Sequence, residues 1–516
     1  MKRRALLSVY DKTGLVDFAR GLQEVGFQLI STGGTEKVLR ENGVLVRPVT
    51  QVTGFAEILS GSVKTLHPLL FGGILASRSD PQHVADLARH GIEPIDLVVV
   101  NLYPFEATIS RPGVTLAEAI ENIDIGGPAM IRAAAKNHAH VAVVTSPEQY
   151  PWVLDELRSH GGALSEASRR RLAAEAFALT ARYDAAIESY LRSLHEDKAA
   201  MPSRLWACLE KVAELRYGEN PHQRAALYAP YSATSTGLVG AQQLQGKQLS
   251  FNNYLDAQAA LGLLLEFDEP CAVIVKHNNP CGVAVAGELL AAYRKALATD
   301  PVSAFGGIVG FNRPVTQEVA EELSQLFLEV VLAPAFAPEA VELLAKKKNL
   351  RLLALGDLRT RAASGFDLKT IAGGFLVQDL DQEPPADFKV VSKRAPSEGE
   401  WQAMRFGWKV VKWVKSNAVV FVGSDRTLGI GAGQTSRVDS SRLAVMKAQT
   451  AGLALQGSAV ASDAFFPFRD GVDAAAAAGA TAVIQPGGSV RDEEVVAAAD
   501  EHGMTMVFTG VRHFRH

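Results

Sequence analysis

Val275-Lys276-His277-Asn278-Asn279-Pro280-Cys281-Gly282 continues the uninterrupted apolar run Cys271-Ala272-Val273-Ile274-Val275. A short apolar run bounded by turn residues predicts a buried strand. Pro280 and Gly282 predict that regular structure ends there. Lys276 and His277 then stand at a strand's C-terminal end, where α/β sheets place ligand chemistry. A cation beside an imidazole favours the neutral ring, which accepts a proton near pH 7. On these two residues alone a polar loop capping a strand is the better reading, so the rest of the chain decides.

At 516 residues the chain is too long for one ordinary core, and two or more domains are expected. Its 47% hydrophobic and 21% charged residues are those of a globular protein. The net charge of -4 speaks against a general nucleic-acid binder, while leaving room for a basic pocket around a phosphorylated ligand. No apolar run is long enough for a membrane span, and the apolar segment after Met1-Lys2-Arg3-Arg4 is too short for a signal peptide. Cys208, Cys271 and Cys281 form no Cys-x-x-Cys pair, which predicts neither a disulfide framework nor structural zinc and suits a reducing cytoplasm.

Outward toward the N-terminus, strands are predicted at Ala5–Tyr10, Phe27–Ile30, Val44–Val49, Leu97–Tyr103 and His140–Thr145, alternating with helices. That alternation predicts a parallel sheet with helices on its faces. Ser31-Thr32-Gly33-Gly34-Thr35 joins a strand to a helix predicted over Glu36–Glu41. Two glycines before a helix N-terminus suit a phosphate, although the Gly-Lys-Ser/Thr ending of a Walker loop is missing. Asn101 and Tyr103 close a strand that Pro104 stops. Asp124-Ile125-Gly126-Gly127-Pro128 opens a helix over Ala129–Lys136. Lys64 and Lys136 each have an ordinary explanation, as a surface lysine and as a cation at a helix C-terminus.

Residues 147 to 196 read as helical, and Lys198 to Ser203 as a linker. Beyond it lie the turn-rich Leu215–His222, a helix over Ala257–Glu266, a strand at Ile308–Phe311 and a helix over Glu318–Glu329. Lys415-Ser416-Asn417 echoes Lys276-His277-Asn278, which permits two similar subdomains. Gly429–Arg437 is a glycine-rich loop before a helix over Arg442–Leu455. Ser462–Phe468 is an aromatic cluster, and Arg512–His516 is by default a frayed basic tail.

Together these motifs resemble, end to end, the bifunctional family that joins phosphoribosylaminoimidazolecarboxamide (AICAR) formyltransferase to IMP cyclohydrolase. The first half of the resemblance rests on Ser8–Gly14, Ser31–Thr35, Val63–Pro68, Asn101–Phe105, Asp124–Gly127 and Arg132–His138. The second half rests on Leu215–His222, Val275–Gly282, Ser416-Asn417, Gly429–Arg437, Ser462–Phe468 and the tail. It implies an α/β chain: a methylglyoxal-synthase-like cyclohydrolase domain at 1–198, then a formyltransferase domain at 199–516 built of two cytidine-deaminase-like subdomains. The zinc-deaminase signature is missing, because Pro280-Cys281 runs into Gly282-Val283, so no catalytic metal is expected. Ser62 stands where the family has arginine, which puts phosphate affinity at the cyclohydrolase site in question.

The resemblance also implies roles. His277 is the base for formyl transfer from 10-formyltetrahydrofolate to the 5-amino group of AICAR. Lys276 assists it and Asn417 donates to the oxyanion. Arg216, Tyr217 and Arg512 are phosphate-site candidates. Asn253, Phe305, Gly306, Glu329, Gln434, Arg437, Phe466 and His516 complete the nucleotide and folate pockets. For closure of the formylated product (FAICAR) to IMP, Lys64 steadies the formyl oxygen and Asp124 accepts the amide proton. Tyr103 and Lys136 orient the substrate. Lys12, Ser31, Thr32, Gly33, Gly34, Thr35, Thr65, Asn101, Gly126 and Gly127 hold phosphate and ribose. The implied partners are these small molecules and a second copy of the chain, with the formyltransferase site at the dimer interface; neither nucleic acid nor membrane is implied. Two rival readings are a regulatory nucleotide-binding module in the first half and a zinc deaminase or hydrolase in the second.

Overall fold

The computed structural model describes residues 3–61, 63–197, 200–231, 237–358, 365–382 and 387–516. Ser62 and Lys198 lie outside them. The chain divides into two compact units, Met1–Cys208 and Leu209–His516.

In the first unit, β1 (Arg3–Ser8), β2 (Phe27–Ser31), β3 (Arg47–Pro48), β4 (Leu97–Val100) and β5 (Ala142–Val144) form one sheet in the order β3-β2-β1-β4-β5. Every pairing is parallel. Helices cover both faces, so strands such as Leu97-Val98-Val99-Val100 are apolar without alternation and wholly buried. The chain leaves β1 toward β2 and β3, then returns to its other side as β4 and β5. Ligands in open α/β sheets bind at the C-terminal ends of strands flanking such a reversal, here where β1 gives way to Tyr10 and β4 to Asn101.

The second unit is built on two sheets of the same design. β6 (Leu209–Glu214) and β7 (Ala226–Pro230) form a hairpin ahead of them. The first sheet contains β8 (Gln242–Gln245), β9 (Cys271–Lys276), β10 (Asn279–Val285), β11 (Ile308–Phe311), β12 (Val330–Ala333) and β13 (Arg351–Ala354), in the order β10-β9-β11-β12-β13-β8. A second hairpin, β14 (Phe366–Ile371) with β15 (Gly374–Asp379), follows. The second sheet contains β16 (Lys389–Val390), β17 (Val419–Val422), β18 (Thr427–Gly431), β19 (Ala459–Ser462), β20 (Ala482–Gln485) and β21 (Thr505–Phe508), in the order β16-β21-β20-β19-β17-β18. β9 and β10 therefore correspond to β17 and β18. The two subdomains are present, but the Lys276 and Lys415 motifs are not equivalent within them: Lys276 ends β9, whereas Lys415 precedes β17.

Helices Phe251–Leu264 and Glu398–Val411 contribute to a core shared by both sheets, in which Ala260, Val273, Met404 and Val420 are buried together. The edge strands β10 and β18 also meet. Val285 N–H donates to Asp425 O at 2.8 Å, and Val283 N–H to Thr427 Oγ1 at 3.0 Å. Each strand thus covers the other's open edge.

Pro280 and Gly282 do not end regular structure as predicted; both lie within β10. Proline is tolerated on a sheet's edge strand. Gly282 is required for close approach, since a Cβ there would stand 1.9 Å from Ala296 O. The predicted frayed tail is docked: His513 is buried, its ring 2.7 Å from Asp381, and Ser416 N–H donates to Arg515 O at 2.9 Å.

Candidate active sites

β9 and β10 are joined by the two-residue loop His277-Asn278, with φ of 55° and 61°. Both residues are left-handed, the conformation of the tightest antiparallel hairpins. For a non-glycine residue such as His277 this costs roughly 1–2 kcal/mol, and the surroundings supply compensation. Asp256, on the helix Phe251–Leu264, accepts from His277 N–H at 3.3 Å and from Asn278 N–H at 2.7 Å. Burial pushes the Asp256 carboxyl above its usual range, against the pull of those two amides.

Lys276 and His277 line a cavity of about 230 Å³ with Cys281, Ile430, Ala432 and Lys447. Residues of both subdomains therefore meet at one hollow. The Lys276 ammonium donates to Phe305 O at 2.8 Å, and Lys447 pairs with Asp300 at 3.0 Å. Burial drives the Cys281 thiol up to about 12, which leaves it protonated and unreactive.

Asn417 lies across the subdomain boundary in a buried network. Its Nδ2 donates to Gln434 O at 2.9 Å and Thr435 O at 3.1 Å, and its Oδ1 accepts from Arg437 at 2.8 Å. Arg437 also pairs with the fully buried Asp463 and donates to Ser462 Oγ at 2.8 Å.

In the first unit the sheet reversal is pinned by Asn101, whose Oδ1 accepts from Tyr10 N–H at 2.5 Å and Asp11 N–H at 2.9 Å. The Tyr10 and Tyr103 rings meet edge to face at 5.4 Å. Lys64 Nζ lies 3.7 Å from where a Cβ would stand on Gly33, the first residue of the helix Gly33–Glu41. A lysine thus faces a helix N-terminus whose first amides have no partner within the helix, an arrangement suited to an anion. Burial lowers the Lys12 pKa; Asp11 opposes this and Lys64 adds to it. Burial raises that of Asp124, against the amides of Gly127 and Tyr103 and the charge of Lys64.

The family model described as AICARFT/IMPCHase bienzyme matches residues 134–447, and that of the MGS-like domain matches residues 14–129. The chain is 58% identical to the bifunctional purine biosynthesis protein PurH of Magnetococcus marinus, over 100% of this chain and 99% of that one. The chain belongs to the AICARFT/IMPCHase bienzyme family. It is a bifunctional enzyme, AICAR formyltransferase and IMP cyclohydrolase, and catalyses the last two steps of IMP synthesis. A solved structure, that of ForH, matches 38% of this chain and 100% of its own length at 35% identity, with a TM-score of 0.36.

Several residues predicted for this bienzyme's sites are placed differently by the fold. The phosphate-loop helix begins at Gly33 rather than Glu36, and the helix expected from Ala129 begins at Gly126. Lys136 ends that helix, roughly 15 Å of helical rise from Gly126. Within the unit it is not brought to the Asp124 end. Ser31 and Thr35 are buried, with their hydroxyls on Leu7 O at 2.8 Å and Val9 O at 3.0 Å. Thr32 Oγ1 lies 3.1 Å from Ser8 Oγ, and Thr65 Oγ1 faces Gly126. A Cβ on Gly127 would collide with Asp124, whose Oδ1 accepts the Gly127 N–H at 2.8 Å.

Phe466 lies in the core rather than on a pocket wall, fully buried with Phe421 and Val472. Arg437 is a buried strut for Asn417 and Asp463, and Asn253 is taken up in a capping box with Ser250. Glu329 is bound by Arg351 at 2.6 Å. Phe305 is exposed and packs on Phe327 at 5.2 Å, beside Gly306 at φ 74°. Arg216 stacks on Tyr217 at 5.2 Å, and Arg512 on Phe514 at 4.5 Å, with the His516 ring 5.7 Å from that phenylalanine. Asp256 and Asn279 were given no role from sequence; their signal was the acid and amide within Asn252–Asp256 and Asn278-Asn279, whose partners only the fold reveals. Among the described residues, no cluster of three or more His, Cys, Asp or Glu could hold a metal ion, and no helix is long and apolar enough to cross a membrane.

Proposed function

We propose that the unit Leu209–His516 transfers the formyl group from 10-formyltetrahydrofolate to AICAR, and that the unit Met1–Cys208 closes FAICAR to IMP. The observation that carries the assignment is that Lys276, at the end of β9, and His277, on the left-handed turn that follows it, line a cavity formed by both subdomains. The 5-amino group is a poor nucleophile because its lone pair is spread into the imidazole ring. His277 removes its proton as the new C–N bond forms, and the folate nitrogen leaves with a proton that Lys276 helps to deliver. Asn417 serves the oxyanion by exchanging one of its two carbonyl partners for the substrate, since both of its N–H groups are engaged.

In ring closure the carboxamide nitrogen attacks the formyl carbon of the same molecule, and water departs. Holding the two groups together supplies much of the rate. Lys64 steadies the formyl oxygen, and Asp124, its pKa raised by burial, takes the amide proton. Tyr103 orients the base. Lys12 and the Gly33-Gly34 helix start hold the phosphate. No role for Lys136 follows from its place at the far end of its helix.

A cytoplasmic homodimer completes the reading. The dimer is supported by the β14–β15 hairpin, where Leu368 and Phe375 stand exposed on one face at 51% and 65%, an apolar patch that a second copy would cover. The test is a product assay with AICAR and 10-formyltetrahydrofolate, run on wild type and Lys64→Ala. Wild type is expected to form IMP, and Lys64→Ala to accumulate FAICAR. IMP formed by Lys64→Ala at the wild-type rate would refute the cyclohydrolase assignment.

A further inference from the structure

We infer that Asp256 is a positioning residue for formyl transfer, holding the His277-Asn278 turn so that the imidazole faces the cavity. The inference rests on the reading of His277 as the base.

Type I′ turns favour Asn and Gly at their two central positions. Asn278 satisfies this preference and His277 does not. A non-glycine residue persists in left-handed backbone where its surroundings over-determine it. Here both central amides donate to one carboxylate, at 3.3 Å and 2.7 Å. Among the described residues Asp256 forms no ion pair, and the two amides, followed by the charge of His277, offset its partial burial. It is not part of the cavity wall, whereas Lys276 and His277 are. Its platform is firm. The helix Phe251–Leu264 starts in a reciprocal cap between Ser250 and Asn253 and buries Ala257, Ala260, Leu261 and Leu264. A displacement of this helix would carry the turn with it. Asp256 thus acts on the reaction through the backbone of His277 and touches no reacting atom.

The experiment measures kcat and KM for formyl transfer across pH in Asp256→Ala, Asp256→Ala/Asn278→Gly and His277→Ala. In Asp256→Ala, kcat is expected to fall about 10- to 100-fold. Its KM for AICAR is expected to change less than about threefold, which also reports an intact site. Asn278→Gly is expected to restore part of the loss, because glycine adopts positive φ without steric cost. Wild-type kcat in Asp256→Ala, or no rescue by glycine, would each overturn the inference. If Asp256→Ala does not fold, Asp256→Asn, which keeps one acceptor oxygen, carries the same test with a smaller expected loss. Retained transfer in His277→Ala would instead overturn the reading of His277 on which the inference stands.

Discussion

The Asn279 side-chain oxygen accepts a hydrogen bond from Lys415 N–H at 2.9 Å, and the same amide group donates to His277 O at 3.3 Å. One side chain therefore fastens the reactive turn of the first subdomain to the segment leading into Asn417 of the second. In Asn279→Ala the Lys415 amide loses its partner, a cost of about 1–3 kcal/mol. Formyl transfer is expected to slow by about 10-fold as the two halves of the site lose register. Ring closure should keep its rate, because Asn279 belongs to the other unit. Separate assays of the two half-reactions check this.

Arg437 makes a sharper case. Its side chain is 6% exposed and that of its partner Asp463 is 0% exposed. Removing the cation alone leaves a buried carboxylate with only the Ala418 amide and the Ser416 hydroxyl as partners, so Arg437→Met is expected to destabilise the second unit by about 3–5 kcal/mol. Arg437→Met/Asp463→Leu should regain part of that loss, since replacing both charges removes the unpaired one while leaving the buried Ala418 amide without its acceptor. Formyl transfer should stay impaired in the double variant, because Asn417 Oδ1 has still lost its donor. Urea unfolding midpoints and transfer rates together separate the two effects.

The sequence revealed most where local pattern and final environment agree. Leu97-Val98-Val99-Val100 and Cys271-Ala272-Val273-Ile274-Val275 are apolar because both faces are buried, and both form strands as predicted. The reading went astray where a distant partner decides. Gly282 and Pro280 resemble strand breakers until β10 proves to be an edge strand pressed against a helix. Arg437 and Phe466 have the composition of a ligand pocket, yet one is held by Asp463 and the other fills a core. The tail appeared frayed because nothing nearby in sequence indicates that His513 meets Asp381. The two subdomains are implied by the family resemblance; the Lys-x-Asn echo, which only permits them, does not itself repeat in the fold.

The true repeat predicts its own sensitive points. Gly282 in β10 and Gly431 in β18 occupy corresponding strands, and a Cβ would stand 1.9 Å from Ala296 O at one and 1.8 Å from Ser440 O at the other. Those atoms belong to helix backbones, which cannot swing aside as a side chain does. Gly282→Ala and Gly431→Ala are each expected to cost about 1–3 kcal/mol or more, read as a lower thermal midpoint of the second unit. Gly399→Ala, with open space around it inside the helix Glu398–Val411, is the control and should hold or slightly raise that midpoint, since alanine is the better helix former.

Asp124 links stability and chemistry with opposite signs. Burial raises its pKa in the folded unit above its ordinary value of 3.8. Between that value and the raised one, the folded state binds more protons than the unfolded state. Stability of the first unit therefore falls as pH rises through this window and levels off above it. At neutral pH the ionised carboxylate is held at a net expense to folding, although the Gly127 and Tyr103 amides and Lys64 offset part of it. Asp124→Asn removes the ionisation. It is expected to flatten this pH dependence and to raise the first unit's stability relative to wild type as pH increases from 3 to about 7. The same substitution removes the proton acceptor, so FAICAR should persist while formyl transfer continues. Chemical denaturation at several pH values, paired with the product assay, tests both. A variant that closed the ring normally would show that the Asp124 carboxylate is not the proton acceptor.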